Sequence, residues 1–593
     1  METTAPPPPA ASSRLMDFLL APGVVVAAVL TALAMILHTA SAVMALYNPL
    51  LWADIREEHR WISAYGVHVA DLLRPHNEHI PAIPRLFYLV DFFAFSATSK
   101  FLLAAIFVLV LATAGLLAYV AARWFFTSKR DALLYACLVT VGYVNGMQLT
   151  NMIVGFMICH WLENLFCLLF ALVFALQMTA TDSHGGLRRA AALVVLGLCA
   201  IFSTGSGLFC LATAVFLAIV FRAGWRNVAG MTALLVALAF LYFHCNPLAG
   251  HSTHYSIFRK APGQALRFYF ALLGAPGMRH DTWTADYQFC GFYGPLAVLH
   301  GLMVFALGAL VCFLEWWEPQ RRTVFSLLHT FVIVLVFSTG IALTAARFSL
   351  GVYEGMHGKY TCTVLLAWIA IFSLLLKQLS RYGGLSAPQR KAGWAAAIAI
   401  VLLSVLPAHL REIRCWQQAN DPLWEIESAL IAKTYDERLM RNVDAEHPEL
   451  MYRIIQDEFR PRRWTIFARY PFDLGDPLES YYAVDRDYAG VGQLDPPGAN
   501  SEGAIGDSVR ATGWAWDERN NRAFDDILLT DQRGRIVGVA HTNRDRPDVA
   551  KSFSDDARVR SGWMGYARAG KSARLAAYGL IAGTKVVCPL SAP

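Results

Sequence analysis

The sequence predicts an α-helical polytopic membrane protein that ends in an α+β region outside the membrane. Of its 593 residues, 56% are hydrophobic and only 16% are charged, and the mean hydropathy is +0.42. A soluble fold does not carry this much apolar surface. Long apolar runs recur up to Leu406 and then stop, after which charged and aromatic residues alternate with proline and glycine. The chain is therefore expected to divide into a membrane domain and a C-terminal region.

The membrane domain is expected at residues 22–408, with about eleven helices, because a helix needs about 20 apolar residues to cross the hydrocarbon core. A proline-rich leader, residues 1–21, precedes it, and the first run is interpreted as an anchor because no small-residue cleavage site follows it closely. The predicted spans lie at residues 23–46, 101–122, 132–146, 159–178, 190–201, 208–221, 228–243, 295–313, 324–343, 361–376 and 393–406.

The basic residues between the spans predict the orientation. Lysine and arginine resist translocation, and they collect mostly on one side if Arg14 is cytoplasmic. An odd number of spans then places the C-terminal region outside, together with outer loops at residues 47–100, 245–293 and 346–360. The net charge of +6 is thus a topology signal, and no arginine-rich element indicates a nucleic-acid partner.

The C-terminal region is expected to have two parts. Residues 409–500 form a helical and loop-rich region, in which Leu423, Ile426, Leu430 and Ile431 share one helical face. Residues 501–593 alternate in short runs that predict a small β-sandwich. The expected strands are residues 511–516, 526–530, 535–541, 562–567 and 575–582, with a hairpin turn at 531–534.

Aromatic residues and cysteines of the outer regions leave alternatives open. The side chains of Trp514, Trp516, Trp563 and Tyr566 either form a stacking surface for sugars or fill the core of the sandwich. Four of the eleven cysteines lie outside the predicted spans and would face an oxidising compartment. They would allow two disulfides, which are Cys245–Cys290 and Cys415–Cys588.

The first outer loop concentrates ionisable residues beside the membrane, where such groups indicate a functional site. Asp54 follows the first span and could act as a general base if partial burial raises its pKa. The alternative is a solvated acid at the interface. Glu78, in residues 74–85, is a second candidate base.

The same loop offers groups for substrate binding. His76, Asn77, His79 and Arg85 either contact a substrate or hold the loop in place by hydrogen bonds and ion pairs. With Glu78, the two histidines also resemble part of a metal site, but no third ligand is identifiable, so no metal residue is assigned.

Later outer segments carry further candidates. Glu163 opens the fourth span, where it either favours the helix dipole or forms a wall of an outer cavity. Arg347, Lys359 and Tyr360 flank the third outer loop. Their cations could neutralise a lipid phosphate, or they could extend to headgroups without a catalytic role.

The order of an anchor span, an acidic outer loop, many further spans and a C-terminal outer domain resembles the GT-C class of membrane glycosyltransferases. Local strings are also similar to those of bacterial envelope proteins associated with that class. They are HNEHIPAIPR at residues 76–85, WLENLF at 161–166, GVYEGMHGKYT at 351–361, GWAWD at 513–517 and RPDVA at 546–550.

The resemblance implies a GT-C-like fold and sugar transfer on the outer face of a bacterial inner membrane. The donor would be a polyprenyl-phosphate-linked sugar, and the acceptor an envelope glycan, lipid or protein. Asp54 would take the catalytic position with Glu78 as its rival, while Lys359, Arg347 or Arg85 would hold the carrier phosphate. Asp54 has no acidic neighbour before Glu57, unlike the paired acids of many such enzymes, and this leaves both the base and a divalent cation open.

Two other functions fit many spans with polar outer loops. A glycolipid transporter or flippase would show paired repeats and charged, broken helices at the membrane midplane, and few mid-span charges occur here. An envelope-glycan assembly scaffold would make the C-terminal region the functional part.

Overall fold

The structure is a computed structural model. It describes residues 22–50, 55–76, 79–180, 185–246, 261–278, 293–318, 322–381, 399, 403, 405–416, 421–444, 447–488, 490–495, 508–570 and 574–590. The chain divides into two compact units. The membrane unit comprises Met1–Tyr47, Val67–Leu89 and Leu102–Trp416, and the sheet unit comprises Asn48–Gly66, Val90–Phe101 and Gln417–Pro593.

Helices dominate the membrane unit, and seven helices of the described chain are long and apolar enough to cross a membrane. These candidate spans are Gly23–Ala45, Lys100–Trp124, Gly155–Thr179, Trp225–Cys245, Gly294–Trp317, Val324–Arg347 and Gly358–Leu379. The protein is therefore a multi-pass membrane protein. The other helices that contribute to this unit are Ala82–Ala94, Lys129–Tyr143, Leu149–Ile153, Gly186–Ile201, Leu208–Val220, Pro262–Met278 and Val352–Gly355.

These seven helices coincide with seven of the predicted spans, but the predicted count of about eleven is not confirmed. The run at residues 132–146 belongs to a pair of helices bent by 44°, Lys129–Tyr143 and Gly146–Ile153, and counting this pair as one span gives up to eight. The helices Gly186–Ile201 and Gly205–Val220 are shorter than the seven. Most of residues 393–406 lies outside the described residues.

Burial identifies the centre of the membrane unit. In an apolar stretch of 18 residues, 78% of Val324–Arg347 and 72% of Gly358–Leu379 is buried, whereas the corresponding share for Trp225–Cys245 is 11%. All three helices are apolar along their length. The two with high burial, Val324–Arg347 and Gly358–Leu379, therefore lie among other helices. Low burial leaves Trp225–Cys245 with most of its surface available to lipid.

A buried ion pair lies near the C-terminal ends of two of these helices. The Nζ atom of Lys377 is 2.5 Å from Oε2 of Glu315, and Nε2 of Gln378 donates to Oε1 of Glu315 at 3.0 Å. Both charged side chains are almost fully buried. Buried charges are expensive unless they are paired, and here the carboxylate receives a donor on each oxygen.

The sheet unit contains eight strands in one sheet, in the order β1-β8-β7-β4-β5-β6-β3-β2. Neighbours are antiparallel except the parallel pair of β1 and β8. The strands are β1 Ala483–Val484, β2 Gly490–Leu494, β3 Val509–Asp517, β4 Asp526–Thr530, β5 Ile536–Arg544, β6 Gly562–Ala567, β7 Ala576–Leu580 and β8 Val586–Pro589. Helices of this unit are Ile55–Tyr65, Asp421–Ile431, Glu437–Val443, Pro448–Ile454 and Pro547–Phe553.

The predicted β-sandwich is wrong, because the strands form one sheet that curls instead of two that stack. A Cβ atom at Gly490 in β2 would lie 2.6 Å from Sγ of Cys588 in β8, so strands from opposite parts of the sheet approach each other. The core between them includes Phe524, Ile527 and Trp563. A curled sheet covers its own inner face, which removes the need for a second sheet.

The four aromatic residues singled out in the strands are core residues. Trp514, Trp516, Trp563 and Tyr566 are all buried. The alternative of a sugar-stacking surface is therefore wrong. The predicted turn at residues 531–534 is confirmed: Asp531 N–H donates to Arg535 O and Gly534 N–H to Asp531 O, with Gly534 at φ +70°.

The predicted helical face of the C-terminal region is confirmed in Asp421–Ile431, where Leu423, Ile426, Leu430 and Ile431 are all buried. From the same helix, Ser428 donates to the carbonyl oxygen of Val539 in β5, and Tyr566 N–H in β6 donates to Ser428 Oγ at 2.7 Å. One hydroxyl group thus joins the helix to two strands.

The Cys415–Cys588 disulfide is not formed. Cys588 is a buried thiol whose Sγ donates to the carbonyl oxygen of Gly579 at 3.7 Å, within the core of the curled sheet. Cys290, the predicted partner of Cys245, lies outside the described residues.

Candidate functional site

Several chain segments bring polar residues together at one end of the membrane unit, which we call the loop end. It is defined by His79, Glu163, Ser206, Arg347 and Lys359. Glu163 lies near the start of Ile158–Thr179 and Ser206 precedes Leu208–Val220, while Arg347 is the last residue of Val324–Arg347. Antiparallel helices bring such starts and ends to the same side of a bundle.

His79 is the centre of this cluster. The backbone N–H of Gly205 donates to its Nδ1 at 3.2 Å, which places the ring proton on Nε2 and makes that nitrogen a donor. Burial, together with the nearby charges of His160, Arg347 and His76, lowers the pKa of His79 to about 4, although Glu163 acts in the opposite direction. His79 is therefore neutral at physiological pH and can donate without carrying charge.

Gly205 permits this close approach. A Cβ atom at this position would lie 2.3 Å from the hydroxyl oxygen of Tyr242 and 3.0 Å from Nδ1 of His79. Tyr242 in turn accepts a hydrogen bond from Nδ2 of Asn246 at 3.2 Å. A side chain at position 205 would displace the histidine ring or the tyrosine.

Glu163 is a carboxylate whose charge acts on His79. Ser206 Oγ donates to Oε1 of Glu163 at 2.5 Å, and Nδ1 of His160 is 3.8 Å from Oε2. The Ser206 hydroxyl therefore holds one carboxylate oxygen, and the other lies beside the His160 ring. The two expected roles of Glu163, a wall of an outer cavity or a charge that favours the helix dipole, both stay predictions.

Arg347 and Lys359 differ in their partners. The charge of Arg347 acts on His79, and it forms no ion pair with any described carboxylate. Lys359 Nζ instead lies 2.6 Å from Oε1 of Glu354, which also accepts from the Tyr360 hydroxyl at 3.3 Å. Burial would raise the pKa of Glu354, but Lys359 holds it below its usual value.

Two hydrogen bonds attach the Lys359 segment to the rest of the loop end. Nδ2 of Asn151 donates to the carbonyl oxygen of Gly358 at 2.8 Å. The Thr363 hydroxyl donates to Oδ1 of Asn164, the neighbour of Glu163, at 3.1 Å. Lys359 and Tyr360 therefore belong to the same end of the bundle as Glu163.

Arg85 and His76 contact the backbone of their own loop. The Arg85 guanidinium donates to the carbonyl oxygens of Asp71 and Leu72 at 3.1 and 3.0 Å and to that of Arg74, which satisfies the end of a short 3₁₀ helix. His76 exchanges two backbone hydrogen bonds with His79, and its ring centroid is 5.5 Å from that of Phe156.

The structure thus brings His76, Glu163 and Arg347 close to the imidazole of His79. Lys359 and Tyr360 lie at the same end of the bundle. The predicted residues Asp54, Asn77 and Glu78 lie outside the described residues. Within the described ranges, no group of three or more histidine, cysteine, aspartate or glutamate side chains could hold a metal ion.

Sequence reasoning missed Gly205, Ser206 and Glu354. The first two lie in the string TGSG at residues 204–207, between two short apolar runs, and a glycine-rich turn of this kind is a detectable signal. Glu354 belongs to a string already noted, but its pairing with Lys359 depends on the fold of the loop.

Comparisons with known proteins give a weak structural similarity. No protein-family model and no curated protein matches the chain. One similar structure is the oligosaccharyltransferase AglB of Archaeoglobus fulgidus with an inhibitory peptide and a dolichol-phosphate (TM-score 0.41), and another is the apo form of the oligosaccharyltransferase of that archaeon (TM-score 0.38). Each is 15% identical and matches 76% of this chain and 62% of its own. TM-scores this low support no inference about function.

Proposed function

We propose that this protein is a membrane glycosyltransferase that moves a sugar from a polyprenyl-phosphate carrier to an envelope glycan, lipid or protein acceptor. The observation that supports this function is the meeting of His79, Arg347 and Glu163 at the end of an apolar helical bundle. A lipid-linked sugar keeps its phosphate at headgroup level, because its tail remains in the hydrocarbon. At that level, the hydrogen-bond donor His79 and the cation Arg347 suit the phosphate, and the acid Glu163 suits the sugar.

Arg347 and His79 are the groups that would hold the carrier phosphate. Arg347 has a fixed charge without an ion-pair partner among the described residues, and the Nε2–H of neutral His79 supplies a second donor. Charge develops on the phosphate as the bond to the sugar breaks, so fixed donors aimed at it accelerate the reaction. His76 lines the same cluster, and Lys359 and Tyr360 would contribute through the loop that Glu354 organises.

Asp54 is the proposed general base, with Glu78 as the alternative, and Asn77 and Arg85 belong to the same loop. The base would remove a proton from the acceptor hydroxyl or amide as it attacks the sugar carbon. Glu163, oriented by Ser206, would accept hydrogen bonds from sugar hydroxyl groups. A divalent cation remains a candidate cofactor.

The proposed location is the inner membrane of a bacterium, with the N terminus in the cytoplasm and the loop end and the C-terminal region outside. The basic residues between spans support this orientation. Membrane lipids surround the protein, and nucleic acid is not a proposed partner.

Transfer of labelled sugar in proteoliposomes tests this function. Purified protein would be reconstituted with polyprenyl-phosphate sugars and a membrane-extract acceptor, and incorporation of label would be measured. We expect Asp54→Asn, or Glu78→Gln if that residue is the base, to lower turnover by about 100-fold or more. Glu449→Gln is the matched control, because Glu449 is an exposed acid of the sheet unit.

The two kinds of failure are distinguishable. Unchanged turnover in both variants would overturn the base assignment but leave the transferase. Absence of transfer from every carrier, together with measurable movement of the glycolipid across the bilayer, would replace the transferase with a flippase.

A further inference from the structure

A group of five basic side chains in the sheet unit serves no part of the proposed reaction. This basic patch consists of Lys433, Arg460, Arg462, Arg463 and Arg568. Three of its members belong to the string FRPRRW at residues 459–464. Lys433 follows the helix Asp421–Ile431, and Arg568 follows β6.

The patch carries more positive charge than its surroundings neutralise. Arg463 pairs with Asp473 at 3.0 Å. Lys433 and Arg568 are exposed, and neither forms an ion pair with a described residue. Burial lowers the pKa of Arg460 to about 10; Asp473 and Tyr452 oppose this shift, and Arg463 and Arg568 add to it. Burial with Arg460 and Arg568 lowers the pKa of Lys433, and Asp473 opposes that shift. These cations are therefore close enough to repel one another.

Two of these arginines are held in the patch by hydrogen bonds to the backbone, so their closeness has a structural explanation. The Arg460 guanidinium donates to the carbonyl oxygen of Ile431 at 2.7 Å at the end of its helix, and Arg463 donates to that of Phe472 at 2.6 Å. Among the described residues, no comparable hydrogen bond explains why the exposed side chains of Lys433 and Arg568 lie here. Their addition to an already positive region indicates an anionic ligand.

Two contacts place the patch near the membrane surface. Thr465 N–H donates to the carbonyl oxygen of Ser96 at 2.9 Å, and the ring centroids of Trp464 and Phe92 are 4.1 Å apart. Ser96 precedes by four residues the candidate span that begins at Lys100. The string FRPRRW therefore lies next to the point where the chain enters the bilayer.

Aromatic residues beside the patch fit the same location. The side chains of Phe93 and Phe95 are 67% and 43% exposed, close to the start of the span. The guanidinium of Arg462 lies 5.0 Å from the ring centroid of Trp464. Exposed aromatic rings next to basic side chains are typical of the headgroup region of a membrane.

We propose that the basic patch binds the phosphate groups of anionic phospholipids at the membrane surface. The ligand is a headgroup phosphate and not a soluble acidic glycan, because the exposed rings of Phe93 and Phe95 and the start of a candidate span lie beside the patch and suit the boundary of a bilayer. The inference does not depend on the transferase reaction.

Hydrogen exchange of the full-length protein in nanodiscs tests the proposal. The probes are discs of phosphatidylcholine alone and discs in which about a third of the lipid is phosphatidylglycerol, a ratio chosen to give a strongly negative surface. We expect amides of residues 459–470 to exchange at least threefold more slowly in the anionic discs. The triple variant K433E/R462E/R568E should abolish this difference.

The matched control is R533E/K551E/K585E, which makes the same change of charge at three exposed positions of the same unit. It should retain the wild-type difference. Unchanged exchange in β4 and β6 shows that each variant is folded. Equal exchange of residues 459–470 in both kinds of disc, a triple variant that behaves as wild type, or the same protection by a soluble acidic oligosaccharide in phosphatidylcholine discs would each overturn the proposal.

Discussion

The two ends of the membrane unit treat charge in opposite ways. At one end, Glu315 and Lys377 are almost fully buried and 2.5 Å apart, and Gln378 completes the set. At the loop end, Arg347 has no ion-pair partner among the described residues and Glu163 is bonded to a serine hydroxyl. One helix connects these regions, since Lys359 precedes the start of Thr361–Arg381 and Lys377 lies near its end.

The difference separates charges that hold helices together from charges that are available to a ligand. In the buried set, the charge of Lys377 is neutralised by Glu315 inside the protein. Arg347, which has no ion-pair partner among the described residues, can gain more interaction energy when a phosphate arrives.

Removal of one partner from the buried pair should have the largest effect. Glu315→Ala leaves the Lys377 ammonium buried without its carboxylate, and we expect a loss of about 3–5 kcal/mol of stability. The measurement is the temperature at which the detergent-solubilised protein loses its monodisperse peak.

The double variant Glu315→Leu with Lys377→Met is the control. It removes both charges and keeps apolar volume, so it should recover most of the stability. If the double variant is as unstable as Glu315→Ala, the loss of stability does not come from the unpaired charge of Lys377.

Acid should destabilise the loop end through His79. Its pKa is about 4 in the folded protein and 6.5 in the unfolded chain, so the unfolded state binds more protons between these values. Above pH 6.5, neutral His79 makes its full contribution to the free energy of unfolding. This contribution, about 3 kcal/mol in total, is lost as the pH falls towards 4.

His79→Gln keeps an acceptor for the Gly205 N–H but does not titrate. Melting temperatures of wild type and variant, measured from pH 7.5 to 4, should converge as the pH falls. Parallel curves would mean that the histidine is not held neutral in the folded state.

Arg347 and Lys359 should differ in their effect on the lipid-linked donor. Without Arg347 a charged hydrogen bond to the phosphate is lost, and we expect Arg347→Gln to raise the KM for the donor by about 10- to 100-fold. Lys359→Gln should change KM by only a few-fold, because Lys359 is already paired with Glu354. Equal effects of the two substitutions on KM would remove the distinction between paired and unpaired cations.

The periodicity of apolar residues predicted local structure well where it alone determines which face of a helix or strand is buried. The spacing of Leu423, Ile426, Leu430 and Ile431 identified a buried helical face, and the strands at residues 526–530 and 562–567 have the predicted bounds. The strands β1, β2 and β8 were not predicted, since β1 and β8 have only two and four residues and β2 contains two glycines in five residues. The curled sheet could not be predicted, because strand order depends on pairings between distant residues.

The candidate site was predictable as a set of residue types but not as an arrangement. Glu163 and Arg347 lie at the ends of predicted spans and His79 lies in the first outer loop, and these positions beside the membrane identified them. Their meeting around one imidazole depends on helices from distant parts of the sequence. The loop of Lys359 shows the same limit, since its charge was evident and its pairing with Glu354 was not.

Apolar length and the positions of charges, both visible in the sequence, determined that this chain crosses a membrane many times and which helical and strand faces are buried. The tertiary structure alone decided which charges neutralise each other. Lys377 counted only as a topology signal in the sequence, yet it lies in a buried ion pair. The physical reason is that burial of apolar surface depends on local periodicity, whereas an ion pair depends on distances of a few ångströms between residues far apart in the chain.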